Sequence, residues 1–538
     1  MSELAKVLGG RPRRFYGWGY ADESVSTEEL ARVVATFAKR FGVSGFDVTP
    51  PPRVSEFSVR APRIEQPAAL AVICTGTAEA RLAHSYGKAW LDSARMFRRH
   101  CPNPPDVVAF PRDESDIAEL FDWCTGAGAI CIPYGGGSSV VSGFEPPESE
   151  RPVVTLDLGN LNRVLEVDTT SQAARIQAGA LGPQLEAQLK PHGLTLRHFT
   201  QSFEISSLGG WIATRAGGHF ATLYTHIDDL VESLRVMTPA GTLNTRRLPG
   251  SGAGPSPDRM FIGSEGILGV ITEAWMRLRK RPCFRASTTV RFGDFHAGAD
   301  AVRALAQSGL YPANCRLLEA KEAAYSPDAR AEGALMVLSF ESADHPLDAW
   351  MTRALELCAD HGGEWDRAAP ESDGSQHAGA AGEWRDKFIR MPYFQEHLTA
   401  RGIIATTVES AITWDRFRDF HAEVMHRTMK AAGRIFKHPS TFTCRFTHVY
   451  PDGPAPYFTF HALAEKNTML EQYREIKQVM LSALVELGGT ITHHHAVGRY
   501  HRPWYDRQRP ELFAQALRAV KHVLDPNGML NPGVLIDP

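Results

Sequence analysis

The sequence predicts an α+β protein with about two or three domains, because a chain of 538 residues is longer than one hydrophobic core usually serves. Between residues 107 and 189, short apolar runs alternate with helical periodicity, which favours a mixed fold class. Three segments rich in glycine and serine lie between residues 133 and 272. Backbone N–H groups in such segments can converge on an anion, so we expect a cavity for a large, partly anionic ligand.

Composition argues against several functional classes. The 58 Lys and Arg residues stand against 61 Asp and Glu residues, and the net charge of −3 gives no electrostatic basis for binding nucleic acid. We therefore expect small-molecule partners and no nucleic acid. The eight cysteines include no Cys-x-x-Cys pair, which favours reduced thiols over a zinc ribbon or a disulfide framework. No metal is expected.

The chain shows no targeting segment. It has no run of about 18 apolar residues and no apolar stretch of signal-peptide type near residue 1. A cytoplasmic location is therefore expected, with peripheral membrane contact left open as an alternative.

Residues 1–99 predict a largely helical extension. Ser26 and Glu29 have the spacing of a capping box, in which each residue satisfies a backbone N–H of the other. The apolar residues that follow at helical spacing are Leu30, Val33, Val34, Phe37 and Phe41. Nothing in this region indicates chemistry.

The first glycine-rich segment follows a predicted strand at residues 129–132. Its residues are Pro133, Tyr134, Gly135, Gly136, Gly137, Ser138 and Ser139. The glycines allow close backbone approach and the serines add hydroxyl donors, which suits a phosphate ester. The segment lacks the Lys of a Walker loop and does not open a helix as a dinucleotide fingerprint does. Taken alone, it is equally well explained as an ordinary glycine-rich turn.

Two further segments change that balance. The second contains Gln201, Ser202, Ser206, Ser207, Gly209, Gly210, Thr214, Arg215, Ala216 and Gly217, and the third contains Glu265, Gly266, Leu268, Gly269, Val270 and Ile271. One such segment is a turn, but three together predict a cavity that holds a ligand by its backbone contacts. We predict that all of these residues bind this ligand.

The order of these motifs resembles the FAD-binding domain of the vanillyl-alcohol oxidase superfamily, and within it the alkyldihydroxyacetonephosphate synthase (alkylglycerone-phosphate synthase) family. The resemblance implies a two-subdomain FAD-binding domain at residues 100–282, an α+β cap at 283–488 and a segment returning to the FAD domain at 489–538. It also implies noncovalent FAD. Relatives that tether FAD use a histidine in the first segment or a cysteine in the second, and this chain has Gly137, Ser138 and residues 205–207 (Ile-Ser-Ser) there.

The resemblance implies a catalytic set of Arg316, Tyr457 and the three histidines 493–495. Arg316 would contact a substrate phosphate or the flavin edge, since a planar cation suits either, although a surface arginine or one that pairs with a helix is the alternative. Tyr457 lies in an alternating run, residues 455–461, that predicts a strand, and otherwise it would be a half-buried strand tyrosine. If the histidines also form a strand, His493 and His495 face one site and His494 points away. Acid–base or phosphate-binding duty is preferred to metal binding.

The function implied is exchange of the acyl chain of 1-acyl-dihydroxyacetone phosphate for a fatty alcohol, through a substrate adduct at flavin N5, in ether lipid synthesis. The expected partners are small-molecule lipid substrates and a second copy of the chain in a homodimer. The family usually has Pro-Tyr-x-Arg-Asp where this chain has Gln395 and Glu396 after residues 392–394. An FAD-dependent oxidase or dehydrogenase of a 2-hydroxy acid or another alcohol therefore remains the alternative, and a flavin-binding protein without activity is a third. Residues 366–383, rich in Asp, Ser, Gly and Ala, predict a solvated loop.

Overall fold

The computed structural model describes residue 11 and residues 13–323, 333–366 and 389–537. From residue 367 onward, the loop predicted for residues 366–383 lies outside this range. The described chain forms four sheets with helices packed around them. The mixed α+β class predicted from the sequence is confirmed.

The N-terminal region packs against later parts of the chain, for example through Phe37 and Phe41 against Leu398 and Ile403. Its regular elements are α1 (Thr27–Phe41), β1 (Cys74–Thr75), α2 (Ala78–Ala83) and α3 (Trp90–Phe97), with 3-10 turns at Val54–Glu56 and Ala68–Leu70. The predicted capping box of Ser26 and Glu29 is present at α1. The stretch between α1 and α2 is mostly irregular, so the prediction of a largely helical extension holds only for these three helices.

The first cofactor-side sheet has four strands in the order β1-β2-β4-β3, with β4 parallel to both of its neighbours. Its further elements are β2 (Val107–Ala109), α4 (Glu114–Gly126), β3 (Ile130–Tyr134) and β4 (Val153–Asp157). As the sequence predicts, Asp113 caps α4. Strand β3 leads directly into the first glycine-rich segment.

The second cofactor-side sheet has five antiparallel strands in the order β5-β6-β10-β8-β9. The elements of this part are β5 (Val164–Asp168), β6 (Ala173–Gln177), α5 (Gly182–Leu189), β7 (Leu194–Thr195), α6 (Leu208–Thr214), α7 (Ala221–Tyr224), α8 (Ile227–Leu230), β8 (Val231–Thr238), β9 (Gly241–Asn244), α9 (Asp258–Phe261), β10 (Val270–Arg277) and β11 (Arg279–Lys280), with a 3-10 turn at Lys190–His192. Strands β11 and β7 form a separate pair.

A six-stranded antiparallel sheet, β12-β14-β13-β16-β17-β15, forms the remaining half. Its elements are β12 (Phe284–Phe292), α10 (Phe295–Gln307), β13 (Asn314–Glu319), α11 (Ala320–Ala323), β14 (Ala334–Ser342), α12 (Asp348–Ala359), α13 (Gln395–Thr399), β15 (Ile403–Glu409), α14 (Trp414–Ile435), β16 (Thr441–Val449), β17 (Pro454–Leu463), α15 (Met469–Glu486), α16 (Arg502–Gln508) and α17 (Glu511–Leu524), with a 3-10 turn at Met391–Phe394. One face of this sheet, including Phe458 and Phe460, packs in the apolar core with α14 and α15. Alternation turns Tyr457 and Thr459 to the other face, as the sequence predicts.

Candidate active site

A cavity of about 1260 Å³ lies between the glycine-rich segments and the six-stranded sheet. Its size exceeds that of a typical drug-sized site and suits a dinucleotide together with a substrate. The glycine-rich segments line one side, and side chains of β13, β15, β16 and β17 line the other. Helix α1 adds residues such as Val33 and Phe37.

On the cofactor side, the backbone of the first glycine-rich segment packs closely against the second segment. A Cβ atom at Gly136 would lie 1.9 Å from the carbonyl oxygen of Ile205, and one at Gly135 would lie 2.2 Å from Ser207 Oγ. Only glycine fits at such contacts. The two segments therefore form a narrow cradle, edged by main-chain groups and serine hydroxyls, of the kind that phosphate esters occupy.

The cavity brings most of the predicted cofactor-binding residues together. Those that line it are Pro133, Tyr134, Gly135, Gly136, Gly137, Ser138, Ser139, Gln201, Ser202, Ser206, Ser207, Gly209, Gly210, Thr214, Ala216, Gly217, Glu265, Gly266, Gly269, Val270 and Ile271. Two predicted residues lie elsewhere. Leu268 is buried in the apolar core, and Arg215 points away from the cavity, where its Nε donates to Asp228 at 2.7 Å.

Glu265 has a role that its motif does not reveal. Its carboxylate accepts the backbone N–H groups of Val497 at 2.8 Å and Gly498 at 2.7 Å, and so ties the turn after the histidines to the third glycine-rich segment. Burial raises the pKa of Glu265 to about 7, although these two hydrogen bonds act in the opposite direction.

Tyr457 lies at the centre of the opposite wall. It is paired across the sheet with Arg445 on one neighbouring strand and with Glu409 on the other. Its hydroxyl donates to Thr407 Oγ1 at 3.0 Å and lies 3.5 Å from His495 Nε2, while the guanidinium of Arg445 sits 4.2 Å from its ring centre. Burial raises the pKa of Tyr457, so the phenol keeps its proton at neutral pH.

The three histidines form a turn and not a strand, so the predicted alternation of their faces is wrong. His494 and His495 line the main cavity, whereas His493 lines a second cavity behind it. The cause is Glu409, which the sequence reasoning missed. One oxygen of its carboxylate accepts hydrogen bonds from the backbone N–H groups of all three histidines, at 3.2, 2.8 and 2.6 Å in chain order. These three bonds bend the segment into a turn around the carboxylate.

Glu409 is also the charged partner of the histidine side chains in this turn. Its second carboxylate oxygen lies 2.6 Å from Nδ1 of His494. Burial alone would raise the pKa of Glu409, but His494 and His495 outweigh burial and hold that pKa well below its usual range. Burial lowers the pKa of His495 to about 4, so its imidazole is neutral at pH 7 and can accept a proton.

Arg316 lies on β13 and is buried with only 2% of its surface exposed, at the edge of the main cavity. The alternative of a surface arginine is therefore wrong. Burial, reinforced by Arg445, lowers the pKa of Arg316. Arg445 is paired with Glu322, which balances its charge. An anionic group of a substrate bound in the cavity could therefore accept hydrogen bonds from the Arg316 guanidinium.

Two further residues line this wall, Arg445 and Lys477, and sequence reasoning missed both of them, as it missed Glu409. Lys477 lies on α15, donates to the carbonyl oxygen of Thr407, and has its pKa lowered by burial to about 7. A buried charge of this kind requires a partner or a function.

Two protein families match this chain. The FAD binding domain matches residues 105–246, and the C-terminal domain of FAD linked oxidases matches residues 281–535. The chain is therefore similar to FAD-binding and FAD-linked oxidase domains in both of these regions. It is an FAD-dependent enzyme. The backbone cradle and the size of the cavity fit this cofactor, which the three glycine-rich segments would hold.

Homologues cover most of the chain. Alkyldihydroxyacetonephosphate synthase from Dictyostelium discoideum is 29% identical over 486 residues, which are 85% of this chain and 77% of that protein. The enzyme of the same name from Caenorhabditis elegans is 27% identical and covers 97% of this chain and 95% of its own. A solved alkyldihydroxyacetonephosphate synthase superposes with a TM-score of 0.82 at 24% identity over 97% of both chains.

The described residues include no helix long and apolar enough to cross a membrane.

FAD is expected to be released intact when the protein is denatured, because the cradle offers no nucleophile that could tether it. The first segment carries serines where tethering relatives carry histidine, and none of the described residues that line the cavity is a cysteine. Acid precipitation of the purified protein should leave the yellow colour in the supernatant. Flavin that stays with the pellet through washing would contradict this prediction.

Proposed function

We propose that this FAD-dependent enzyme exchanges the acyl chain of 1-acyl-dihydroxyacetone phosphate for a fatty alcohol and so forms an ether bond. The observation that supports the proposal most is the wall opposite the cofactor cradle, where Arg316, Tyr457 and the turn of His494 and His495 border one cavity. A buried cation, a phenol and the neutral imidazole of His495 suit a phosphorylated ketone that must lose a proton. The names of the homologues point to the same reaction.

Each side chain has a definite task in this proposal. Arg316 binds the phosphate as a planar cation with several donors. His495 or His494 takes the proton next to the ketone, and Tyr457, whose hydroxyl lies between Thr407 and His495, donates to the substrate oxygen. Glu409 fixes the orientation of both histidines. FAD, when bound, supplies N5 as the atom that can hold a substrate carbon or accept electrons.

The purified holoprotein is tested with acyl-dihydroxyacetone phosphate and hexadecanol, without an electron acceptor, and the products are identified by mass spectrometry. The proposal predicts the alkyl ether product and free fatty acid in equal amounts. Bleaching of the flavin by a 2-hydroxy acid under anaerobic conditions, with no ether product, would instead establish the dehydrogenase alternative. The same preparation answers both questions.

Arg316→Ala is expected to weaken use of the phosphorylated substrate by about 10- to 100-fold in KM, because charge-assisted hydrogen bonds to a buried anion are lost. Arg316→Lys should retain part of the affinity, since it keeps the charge but not the planar fork. Steady-state kinetics measure the effect, and the FAD content of each variant shows whether the fold is intact. Arg112→Ala, which removes an exposed arginine outside the cavity, is the matched control. Unchanged KM in Arg316→Ala would remove Arg316 from the site.

Gln395→Arg is expected to improve use of acyl-dihydroxyacetone phosphate, because it restores the cation that the family carries near the substrate. Gln395 borders the main cavity, and its Nε2 donates to the carbonyl oxygen of Lys88 at 3.0 Å and to Ser93 Oγ at 3.2 Å. An arginine can keep these contacts through one nitrogen and offer another to the substrate. Kinetics with the parent and the variant provide the measurement. Identical dependence on substrate concentration would show that position 395 does not determine specificity.

The domain limits at residues 100–282, 283–488 and 489–538, a homodimer and peripheral membrane contact belong to the same proposal. Sedimentation of the holoprotein tests the homodimer, and flotation with lipid vesicles tests the membrane contact.

A further inference from the structure

A second cavity, of about 580 Å³, lies behind the histidine turn. Its lining includes His226, Tyr450 and His493, together with Asp229 and Arg259. The last two side chains are 55% and 53% exposed, so this cavity borders solvent. His494 and His495 border the main cavity, and His493 borders the second one. The turn is therefore a thin wall between a catalytic cavity and water.

One chain of side-chain contacts crosses this wall. Nδ1 of His494 lies 2.9 Å from Nδ1 of His493, and Nε2 of His493 lies 2.6 Å from the hydroxyl of Tyr450. That hydroxyl is also hydrogen-bonded to Nε2 of His226. Four side chains thus connect the two cavities without a gap longer than a hydrogen bond.

A single assignment of hydrogens satisfies every contact in this chain. His494 donates its Nδ1–H toward Glu409 and His493, His493 donates its Nε2–H to the Tyr450 oxygen, and Tyr450 donates its O–H to His226. All donors then point the same way, from the main cavity toward the second one. Such an arrangement is what stepwise proton transfer requires, because each group can pass on one proton as it receives another.

The charge states of the chain are compatible with this role. Burial, with His494 acting in the same direction, lowers the pKa of His493, and burial lowers the pKa of His226 to about 4 against the opposing effect of Asp228. Burial raises the pKa of Tyr450. All three groups are neutral at pH 7, so each imidazole has one nitrogen free of hydrogen that can accept.

His448 packs beside the chain without belonging to it. Its ring lies 4.8 Å from that of His493 and 5.1 Å from that of His494. Its own nitrogens are hydrogen-bonded to Thr447 Oγ1 and to the carbonyl oxygen of Gly218. The other charged groups that face the second cavity are Arg215, Asp228, Asp229, Glu265 and Arg259.

We propose that His494, His493, Tyr450 and His226 form a proton relay that releases one proton into the second cavity for each proton that the histidines take from the substrate. The inference rests on the proposed function for the identity of the substrate. Nε2 of His494 receives the proton, directly or from His495, and its Nδ1 proton passes to His493. His493 passes its Nε2 proton to Tyr450, Tyr450 passes its hydroxyl proton to His226, and His226 releases one proton to water in the second cavity. The reverse sequence returns a proton when the product forms, so no net proton is consumed in the relay.

The test compares proton release to solvent with fatty-acid release in the first turnover, because the hydrogen taken from carbon stays on Nε2 of His494 while the relay passes a different proton to water. The wild-type holoenzyme is mixed rapidly with acyl-dihydroxyacetone phosphate in a weakly buffered solution that contains a pH indicator, and we expect proton release to keep pace with fatty-acid release. In Tyr450→Phe the ring stays but the O–H is lost, and the proton remains on the histidines. We expect the ratio of the rate of proton release to the rate of turnover to fall by about tenfold, since one general acid–base link is missing. An unchanged ratio would overturn the proposal, because a purely structural defect lowers both quantities together.

Two further variants sharpen the result. Tyr505→Phe removes a hydroxyl beside the same cavity but outside the relay, and its ratio of proton release to turnover should equal that of the wild type. His226→Ala should lower the ratio as Tyr450→Phe does, and added imidazole should restore it, because the second cavity is large enough to admit an imidazole. Failure of imidazole to restore the ratio would remove His226 from the relay.

Failure of the relay and failure of the proposed function give different results. If the wild-type enzyme forms no ether product, the proposed function fails, and the same variants are examined for anaerobic bleaching of the flavin by a 2-hydroxy acid. That reaction also requires a base to take a proton, the one on the substrate hydroxyl. Tyr450→Phe should then slow bleaching by about tenfold relative to Tyr505→Phe. Equal rates in these two variants would overturn the relay in that reaction as well.

Discussion

Gly136→Ala is expected to yield a protein that no longer retains FAD. The added Cβ atom would lie 1.9 Å from the carbonyl oxygen of Ile205, a backbone atom that cannot move aside as the end of a side chain can. The two segments of the cradle would have to separate, which costs about 1–3 kcal/mol in a tightly packed region and displaces the groups that hold the phosphates. The ratio of flavin absorbance to protein absorbance after gel filtration measures the effect.

Gly126→Ala is the matched control, because it makes the same substitution outside the cradle. A Cβ atom at Gly126 meets no atom within 4 Å, and the residue ends a helix of the same sheet layer. This variant should keep the FAD content of the wild type. A Gly136→Ala protein that binds a full equivalent of FAD would show that the first segment does not hold the cofactor.

Tyr457→Phe is expected to slow turnover by about 100- to 10,000-fold while leaving the FAD content unchanged. The ring keeps its contacts with the sheet and with Arg445, so the substitution removes only the hydroxyl that lies between Thr407 and His495. Because burial keeps this hydroxyl protonated, the loss removes a proton donor and not a negative charge. Single-turnover kinetics with a saturating substrate concentration isolate the step.

Tyr86→Phe serves as the control for this second prediction. Its hydroxyl is also buried and donates to a backbone carbonyl, that of His100, but it does not border the main cavity. This variant should turn over at the wild-type rate. If Tyr457→Phe does the same, the phenol takes no part in the reaction, and His494 and His495 would have to carry the acid–base chemistry alone.

Much of the local structure could be predicted from the sequence because its signals are local. The capping box of Ser26 and Glu29, the cap at Asp113 and the strand that leads into Gly135 all depend on residues within one or two turns of chain. The glycine-rich segments were recognisable for the same reason. Each of them contains, within a few residues, the glycines that its close backbone contacts require.

The substrate wall was harder to predict because sheet pairing creates it. Glu409 meets Tyr457 only through the register of β15 against β17, and no spacing along the chain shows that pairing. The alternation rule failed at residues 493–495 because it applies to extended strands, and a buried carboxylate bends this segment into a turn. Arg215 and Leu268 lie inside the glycine-rich segments but not in the main cavity. Arg215 borders the second cavity, and Leu268 lies in the apolar core.

The turn at residues 493–498 donates backbone hydrogen bonds to two carboxylates that come from opposite halves of the protein. Glu265 binds it from the cofactor side across 232 residues of chain, and Glu409 binds it from the six-stranded sheet across 86 residues to His495. Contacts between such distant residues form late in folding, because long loops must close first. Under the proposed function, a nascent chain cannot assemble its reactive centre until this turn has emerged from the ribosome, even where its glycine-rich segments have already folded.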